Sequence, residues 1–182
     1  TRSHCDWSSD VCSSDLGYSN IDDLLADSRI DAVFVASPNA SHLGHTVQTA
    51  KAGKHVLSEK PMATSVDDAL TMVQVCQTNS VKLGLGFELR FHPAHLLARD
   101  LVSKGRLGRV RLLQGHWGRG ERGEPEHKPR SGLRSWWEEP EPLGGGSVLM
   151  GLVLHVFDLV RFFCSDERRF WIACLSRCSP SP

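Results

Sequence analysis

Apolar and polar residues along the first third of the chain predict short strands separated by amphipathic helices. Residues 31–36 (DAVFVA) form a continuous apolar run, which is typical of a parallel strand buried on both faces. Residues 41–52 carry a helical pattern that ends at Gly53, where helices favour a left-handed residue. Residues 54–58 predict the next strand. This order of strand, helix and strand is typical of a parallel α/β sheet.

The alternation continues on both sides of this unit. A short helix is predicted over residues 18–27, with Ser19 as its cap, and Ser65 begins a helix after the second strand. Residues 81–87 predict a third strand, whose glycines suggest a close backbone approach, and residues 93–103 predict a further helix. Helices that alternate with short strands imply a parallel sheet with right-handed crossovers.

The pattern changes after residue 106. Residues 109–117 alternate enough to predict a longer strand of a second domain. Residues 118–132 are polar and rich in glycine, proline and charge, which predicts a long loop. A helix is predicted over residues 147–163, directly after three glycines.

Composition and charge exclude several classes of protein. The 182 residues suffice for one domain or parts of two. The 21 basic and 21 acidic residues balance, so neither an electrostatic nucleic-acid binder nor a polybasic membrane anchor is predicted. The longest apolar run is interrupted by His155, Asp158 and Arg161, so no membrane span is predicted. The 6 cysteines lack metal-ligand spacing, so no metal site is predicted.

Both ends of the chain depart from these patterns. Residues 6–16 (DWSSDVCSSDL) match the translation of a sequencing-library adapter. We therefore expect residues 1–16 to be an artefact without structure, the alternative being a polar, disordered natural N-terminus. Residues 166–182 also leave the expected strand pattern, which a frame slip or a gene-model error would explain.

Five segments, taken in order, resemble the Gfo/Idh/MocA oxidoreductases, a family of NAD(P)-dependent sugar and polyol dehydrogenases. The segments are DAVFVASPNASH, AGKHVLSEKP, GFELRFHP, SKGRLGRV and GGSVLMGLVLHVFDL, and they cover most of the chain between residues 17 and 163. The resemblance implies an α/β fold with a partial Rossmann parallel sheet over residues 17–106. It also implies the beginning of a second, α+β domain with an antiparallel sheet over residues 107–165, used for substrate binding and oligomerisation.

The resemblance implies hydride transfer between NAD or NADP and a hydroxyl or carbonyl carbon of a sugar or polyol. No G-x-G-x-x-G opens a helix in this sequence, so the usual pyrophosphate cradle is missing and the choice between NAD and NADP cannot be read. We therefore expect the chain as printed to be inactive. For the intact protein, the resemblance implies a homo-oligomer, and we expect it in the cytoplasm.

Lys60 and His155 are the predicted catalytic residues. Lys60 directly follows a predicted strand, at the end of the sheet where open α/β folds bind ligands, and an ammonium there stabilises negative charge on a substrate oxygen. The family pattern GGG-x-x-x-D-x-G-x-H-x-x-D aligns His155 with the acid/base histidine. Without the motifs, Lys60 would be a surface residue beside a turn and His155 a core or capping residue.

The resemblance also implies contacts around these two residues. The turn after the first strand would bind the cofactor, and Arg90 would reach the cleft, the alternatives being turn chemistry and a surface ion pair. Trp136 and Trp137 would line the substrate cleft or be buried in the second domain. The predicted cofactor contacts are Ser37, Pro38, Asn39, His42, Glu59, Lys60 and Arg90, and the predicted substrate contacts are Lys60, Arg90, Trp136 and His155.

The predicted helix that carries His155 departs from the family pattern. The pattern's aspartate, four residues before His155, is Gly151 here. An aspartate one helical turn before the histidine would lie on the same face, where it could orient the imidazole or bind a substrate hydroxyl. Asp158, three residues after His155, is a candidate partner on that face. The departure leaves open an enzyme that uses Lys60 and His155 alone, a divergent activity, or a non-catalytic member that binds ligand or oligomerises.

Overall fold

The structure, a computed structural model, describes residues 17–115 and 149–164. The predicted artefact at residues 1–16, the predicted loop at residues 118–132, Trp136 and Trp137, and the tail at residues 166–182 lie outside the described residues.

Three parallel strands form one sheet in the order β1, β2, β3. They are β1 (Ala32–Val35), β2 (His55–Ser58) and β3 (Leu83–Leu85). Neighbouring strands run in the same direction, so Val35 lies opposite Ser58, and Ser58 lies opposite Leu85, at a common carboxyl edge. The predicted α/β class with a parallel sheet is confirmed, although β3 is shorter than predicted because only three of its residues pair with β2.

In the described part of the chain, five α-helices, two 3-10 helices and one π-helical turn accompany the sheet. The helices are α1 (Ile21–Ala26), α2 (His42–Lys51), α3 (Val66–Thr78), α4 (Pro93–Ser103) and α5 (Leu154–Phe163). Short 3-10 helices span Asn39–Ser41 and Glu88–Phe91, and a π-helical turn, Leu149–Val153, leads directly into α5.

The local signals that begin and end the helices are mostly as predicted. The Ser65 hydroxyl accepts a hydrogen bond from the Asp68 backbone N–H at 3.1 Å, as an N-cap should, and Gly53 has a positive φ of 73°. The prediction of Ser19 as the cap of α1 is wrong. Asn20 takes that place, and its side-chain oxygen accepts from the Asp23 N–H at 2.8 Å.

The hydrophobic core lies on one face of the sheet. Val35 and Val56 of the strands pack with Ala50 of α2 and Cys76 of α3, and all four are buried. On the opposite face Phe34 remains 55% exposed. The prediction that β1 is buried on both faces is therefore wrong for the described part of the chain, because α2 and α3 cover the same side.

The segment after α4 contacts α5 instead of forming a strand. Residues 109–115 join no sheet within the described part of the chain, so the strand predicted over residues 109–117 is wrong as far as it is described. A Cβ placed on Gly115 would lie 2.8 Å from Cγ1 of Val156, so this backbone lies directly against α5. Across residues 17–115 and 149–164, no helix is long and apolar enough to cross a membrane.

Candidate active site at the carboxyl edge of the sheet

Three turns follow the three strands at one edge of the sheet. Residues 37–39 follow β1, residues 59–61 follow β2, and the 3-10 helix Glu88–Phe91 comes shortly after β3. Because the strands are parallel, these turns lie at the edge where open α/β sheets bind ligands. Most of the predicted site residues lie on these turns.

Lys60 contacts the chain just before α5. Its Nζ donates to the carbonyl oxygen of Gly151 at 2.8 Å, and Gly151 is buried in the π-helical turn four residues before His155. The Lys60 backbone N–H donates to Oε2 of Glu59 at 3.1 Å, and the Lys60–Pro61 peptide bond is cis. An ammonium has three N–H donors, and the described residues use one of them. As far as the structure describes the chain, two donors remain for a ligand.

His155 lies against residues that follow β3. The residue is only 5% exposed, and its Nε2 is 3.8 Å from Oε1 of Glu88. This distance lies within ion-pair range but is too long for a hydrogen bond. The imidazole also meets the Phe87 ring edge-on, with 6.1 Å between centroids. The turn after β3 therefore supplies both an apolar wall and a carboxylate to this imidazole.

Arg90 and Asp158 form a two-point ion pair between the turn after β3 and α5. Nε of Arg90 donates to Oδ2 at 2.8 Å, and Nη2 donates to Oδ1. The guanidinium also lies over the rings of Phe87 and Phe162, at 5.7 and 5.6 Å from their centroids. The hydrogen bonds to Asp158 raise the pKa of Arg90 above its usual value. Asp158, considered above as a partner of His155, is thus engaged by Arg90.

His42 ties the first two turns together. Its side chain is almost completely buried, with Nδ1 at 2.8 Å from the Pro61 carbonyl oxygen and Nε2 at 2.9 Å from the Ser37 carbonyl oxygen. The imidazole is therefore enclosed by protein groups. Nearby, the Ser37 hydroxyl lies 2.9 Å from Nδ1 of His45. Asn39 is also buried in the turn.

The structure brings some of the predicted site residues together. Lys60, Glu59 and the helix of His155 meet, Ser37 and His42 hold the adjacent turn, and Arg90 faces α5. Trp136, a predicted substrate contact, lies outside the described residues. Sequence reasoning missed Glu88, whose only signal is its position soon after the third strand.

Gly86 also contributes to this edge, since a Cβ there would lie 3.5 Å from Cδ of Glu59. The backbone after β3 and the Glu59 side chain are therefore close neighbours. A distance of 3.5 Å is an ordinary van der Waals contact, so the unusually close backbone approach expected at the strand-three glycines stays a prediction at this residue.

Comparison with known proteins assigns the chain to a class of proteins. A model described as "Oxidoreductase family, NAD-binding Rossmann fold" matches residues 8–87, so the first part of the chain has the fold of a nucleotide-binding oxidoreductase. A second model, the GFO/IDH/MocA C-terminal domain, matches residues 95–179. The chain belongs to the Gfo/Idh/MocA family of oxidoreductases.

Individual relatives agree with this assignment. The chain is 34% identical over 151 residues to 1,5-anhydro-D-fructose reductase of Ensifer adhaerens, a match covering 81% of this chain and 42% of the relative. The crystal structure of aldose-aldose oxidoreductase from Caulobacter crescentus, complexed with glycerol, is 30% identical with a TM-score of 0.66, covering 82% of this chain and 42% of that one. Levoglucosan dehydrogenase in complex with NADH and levoglucosan is 28% identical with a TM-score of 0.66, covering 80% and 38%. The chain spans about two fifths of the length of these proteins.

Proposed function

We propose that the protein to which this chain belongs transfers a hydride between NAD or NADP and a hydroxyl or carbonyl carbon of a sugar or polyol. The observation that carries the proposal is the 2.8 Å hydrogen bond from Lys60 Nζ to the Gly151 carbonyl oxygen, four residues before His155. This bond brings an ammonium from the nucleotide-binding sheet to the helix that holds the imidazole. The names of the relatives, a sugar reductase and a dehydrogenase crystallised with NADH, support the reaction class.

Lys60 and His155 would have different roles at the substrate oxygen. Negative charge develops on that oxygen as the hydride moves, and the two N–H donors of Lys60 that the described residues do not use would stabilise it. His155 would carry the proton, since imidazole exchanges protons near neutral pH. Its burial against Phe87 limits the access of water to the imidazole.

The residues at the carboxyl edge fit the nicotinamide end of the cofactor. Gly86 presents no side chain, and Lys60 retains donors. The cofactor, when bound, supplies or accepts the hydride. The residues that would hold it are Ser37, Pro38, Asn39, Glu59 and Lys60. His42 connects the turns after β1 and β2, and Arg90 holds the turn after β3 against α5. No residues of the sequence are assigned to the pyrophosphate, because no G-x-G-x-x-G opens a helix.

One observation favours a second function, that of a non-catalytic ligand-binding member. Residue 151 is a glycine where the family pattern has an aspartate, so this residue offers Lys60 only its backbone carbonyl oxygen. A carbonyl oxygen can position the ammonium but cannot exchange a proton. Such a member would bind NADH and a sugar without turnover.

The test is turnover of a panel of sugars and polyols by the full-length protein, followed through the absorbance of the reduced nicotinamide. Lys60→Met and His155→Asn should each lower kcat by a factor of about 100 or more. Lys104→Met is the matched control, because that lysine is exposed and pairs with Asp100 at the end of α4. Full turnover in Lys60→Met would refute the catalytic proposal, and binding without any turnover in the wild type would favour the second function.

Assembly and domain division belong to the same proposal. A homo-oligomer formed through the second domain, a cytoplasmic location, and domains at residues 17–106 and 107–165 remain predictions that rest on the family resemblance. Size-exclusion chromatography with light scattering of the full-length protein measures the first of these directly.

A further inference from the structure

We infer that Glu88 is a positioning residue for His155 and supplies the carboxylate that the family pattern would place at residue 151. The inference rests on the proposed function in one respect, the acid/base role of His155. It starts from the 3.8 Å approach of Glu88 Oε1 to Nε2 of His155 and from the absence of any side chain at Gly151.

The approach of Glu88 is fixed by the fold around it. Glu88 and Arg90 are two residues apart on one 3-10 helix, and their partners His155 and Asp158 are three residues apart on α5. The two-point ion pair of Arg90 with buried Asp158 holds this turn against α5. Although the Glu88 side chain is 66% exposed, the turn that carries it is therefore held against α5.

An aspartate at residue 151 could contact both the imidazole and the ligand, and in this chain two different groups make the corresponding contacts. An aspartate there would lie on the same helical face as His155 and could engage both the imidazole and the ligand side of the cleft. Here the Gly151 carbonyl oxygen accepts from Lys60, while Glu88 brings the negative charge to the imidazole from the neighbouring turn. A carboxylate beside an imidazole favours the protonated ring and restricts its orientation.

Several other groups near α5 have partners of their own among the described residues. Asp158 is bound by Arg90, and the Lys60 ammonium is bound by the Gly151 carbonyl. On α4, Arg99 lies over the Phe162 ring at 4.4 Å, and His95 contacts the Phe163 ring. Among the described residues, Glu88 is the carboxylate that lies within ion-pair distance of His155.

The first test uses the 182-residue chain and needs no activity. The titration of the His155 imidazole is followed by NMR in the wild type, in Glu88→Gln, and in Asp67→Asn, a control that removes one negative charge at the start of α3. Loss of Glu88 should lower the proton affinity of His155 about two- to fivefold, the range for a partly exposed ion pair, so its midpoint moves to lower pH. An unchanged midpoint in Glu88→Gln, or an equal shift in Asp67→Asn, would overturn the inference.

The second test uses the full-length enzyme and a rescue. Glu88→Gln should lower kcat more than it changes KM and should move the corresponding limb of the pH profile of kcat to lower pH. Adding Gly151→Asp to Glu88→Gln should restore both, because it returns a carboxylate to the same face of the helix. A pH profile that is identical in Glu88→Gln and the wild type would contradict the inference.

The two proposals fail in different ways. If His155→Asn abolishes turnover while Glu88→Gln leaves kcat and its pH profile unchanged, the role of Glu88 is wrong and the proposed function stands. If His155→Asn keeps full turnover, the proposed function is wrong, and the NMR titration still decides whether Glu88 controls the imidazole.

Discussion

The ion pair between Arg90 and Asp158 should stabilise the docking of α5 more than a surface pair would. The Asp158 side chain is 6% exposed and the Arg90 side chain 42% exposed, so the pair lies between the exposed and the buried limits. Exposed pairs contribute up to about 1 kcal/mol, and breaking a buried pair costs about 3–5 kcal/mol. With the partial exposure of Arg90 discounted, we expect Arg90→Met to lower the free energy of unfolding by about 2 kcal/mol.

A double-mutant cycle separates the pair from the loss of packing. Arg90→Met, Asp158→Asn and the double variant are compared by chemical denaturation, and their coupling energy should be about 1–2 kcal/mol. Asp100 and Lys104 give a matched control cycle, since they form an exposed pair four residues apart on α4 whose coupling should be about 0.3–0.5 kcal/mol. Equal coupling energies in the two cycles would refute the reasoning that burial strengthens the first pair.

Three further outcomes follow from single contacts. His42→Phe removes the ring nitrogens that lie within hydrogen-bond distance of the Pro61 and Ser37 carbonyl oxygens and should lower the free energy of unfolding by about 1–3 kcal/mol in denaturation, whereas an unchanged midpoint would show that the contacts are dispensable. Gly115→Ala places a Cβ 2.8 Å from Cγ1 of Val156 and should cost about 1–3 kcal/mol, which Val156→Ala in the same chain should recover. Arg29 is the main cause that lowers the pKa of Asp27, so the stability from this pair is present above the ordinary aspartate pKa and is lost as the pH falls through the lowered value. Arg29→Met should return the carboxyl titration of Asp27, followed by NMR, toward the ordinary value, and a titration that stays low would contradict that cause.

The local architecture was predictable because its signals lie close together in sequence. The helix predicted over residues 93–103 has those bounds in the structure, and Ser65 caps its helix through a hydrogen bond to a residue three positions on. The third strand was overestimated because its length is set by pairing with β2, a partner far away in sequence. Burial of β1 was overestimated for a similar reason, since a strand's composition does not say which helices cover each face.

The residues of the candidate site could be predicted only where they fall within the family motifs. The resemblance placed Lys60 and the helix of His155 at one cleft, and the structure joins them through the Gly151 carbonyl. Pairing of Arg90 with Asp158, 68 residues apart, depends on tertiary packing that no local pattern encodes. The same holds for the approach of Glu88 to His155, which depends on the direction of one turn.

The most direct measurement of the central claim is a double-mutant cycle in kcat/KM with Lys60→Met and His155→Asn in the full-length enzyme. If the ammonium and the imidazole act on one substrate oxygen, each single variant loses most of the activity and the double variant loses little more. If the two losses multiply independently, or if either variant keeps the wild-type kcat/KM, the two groups do not act together and the account of this cleft is wrong.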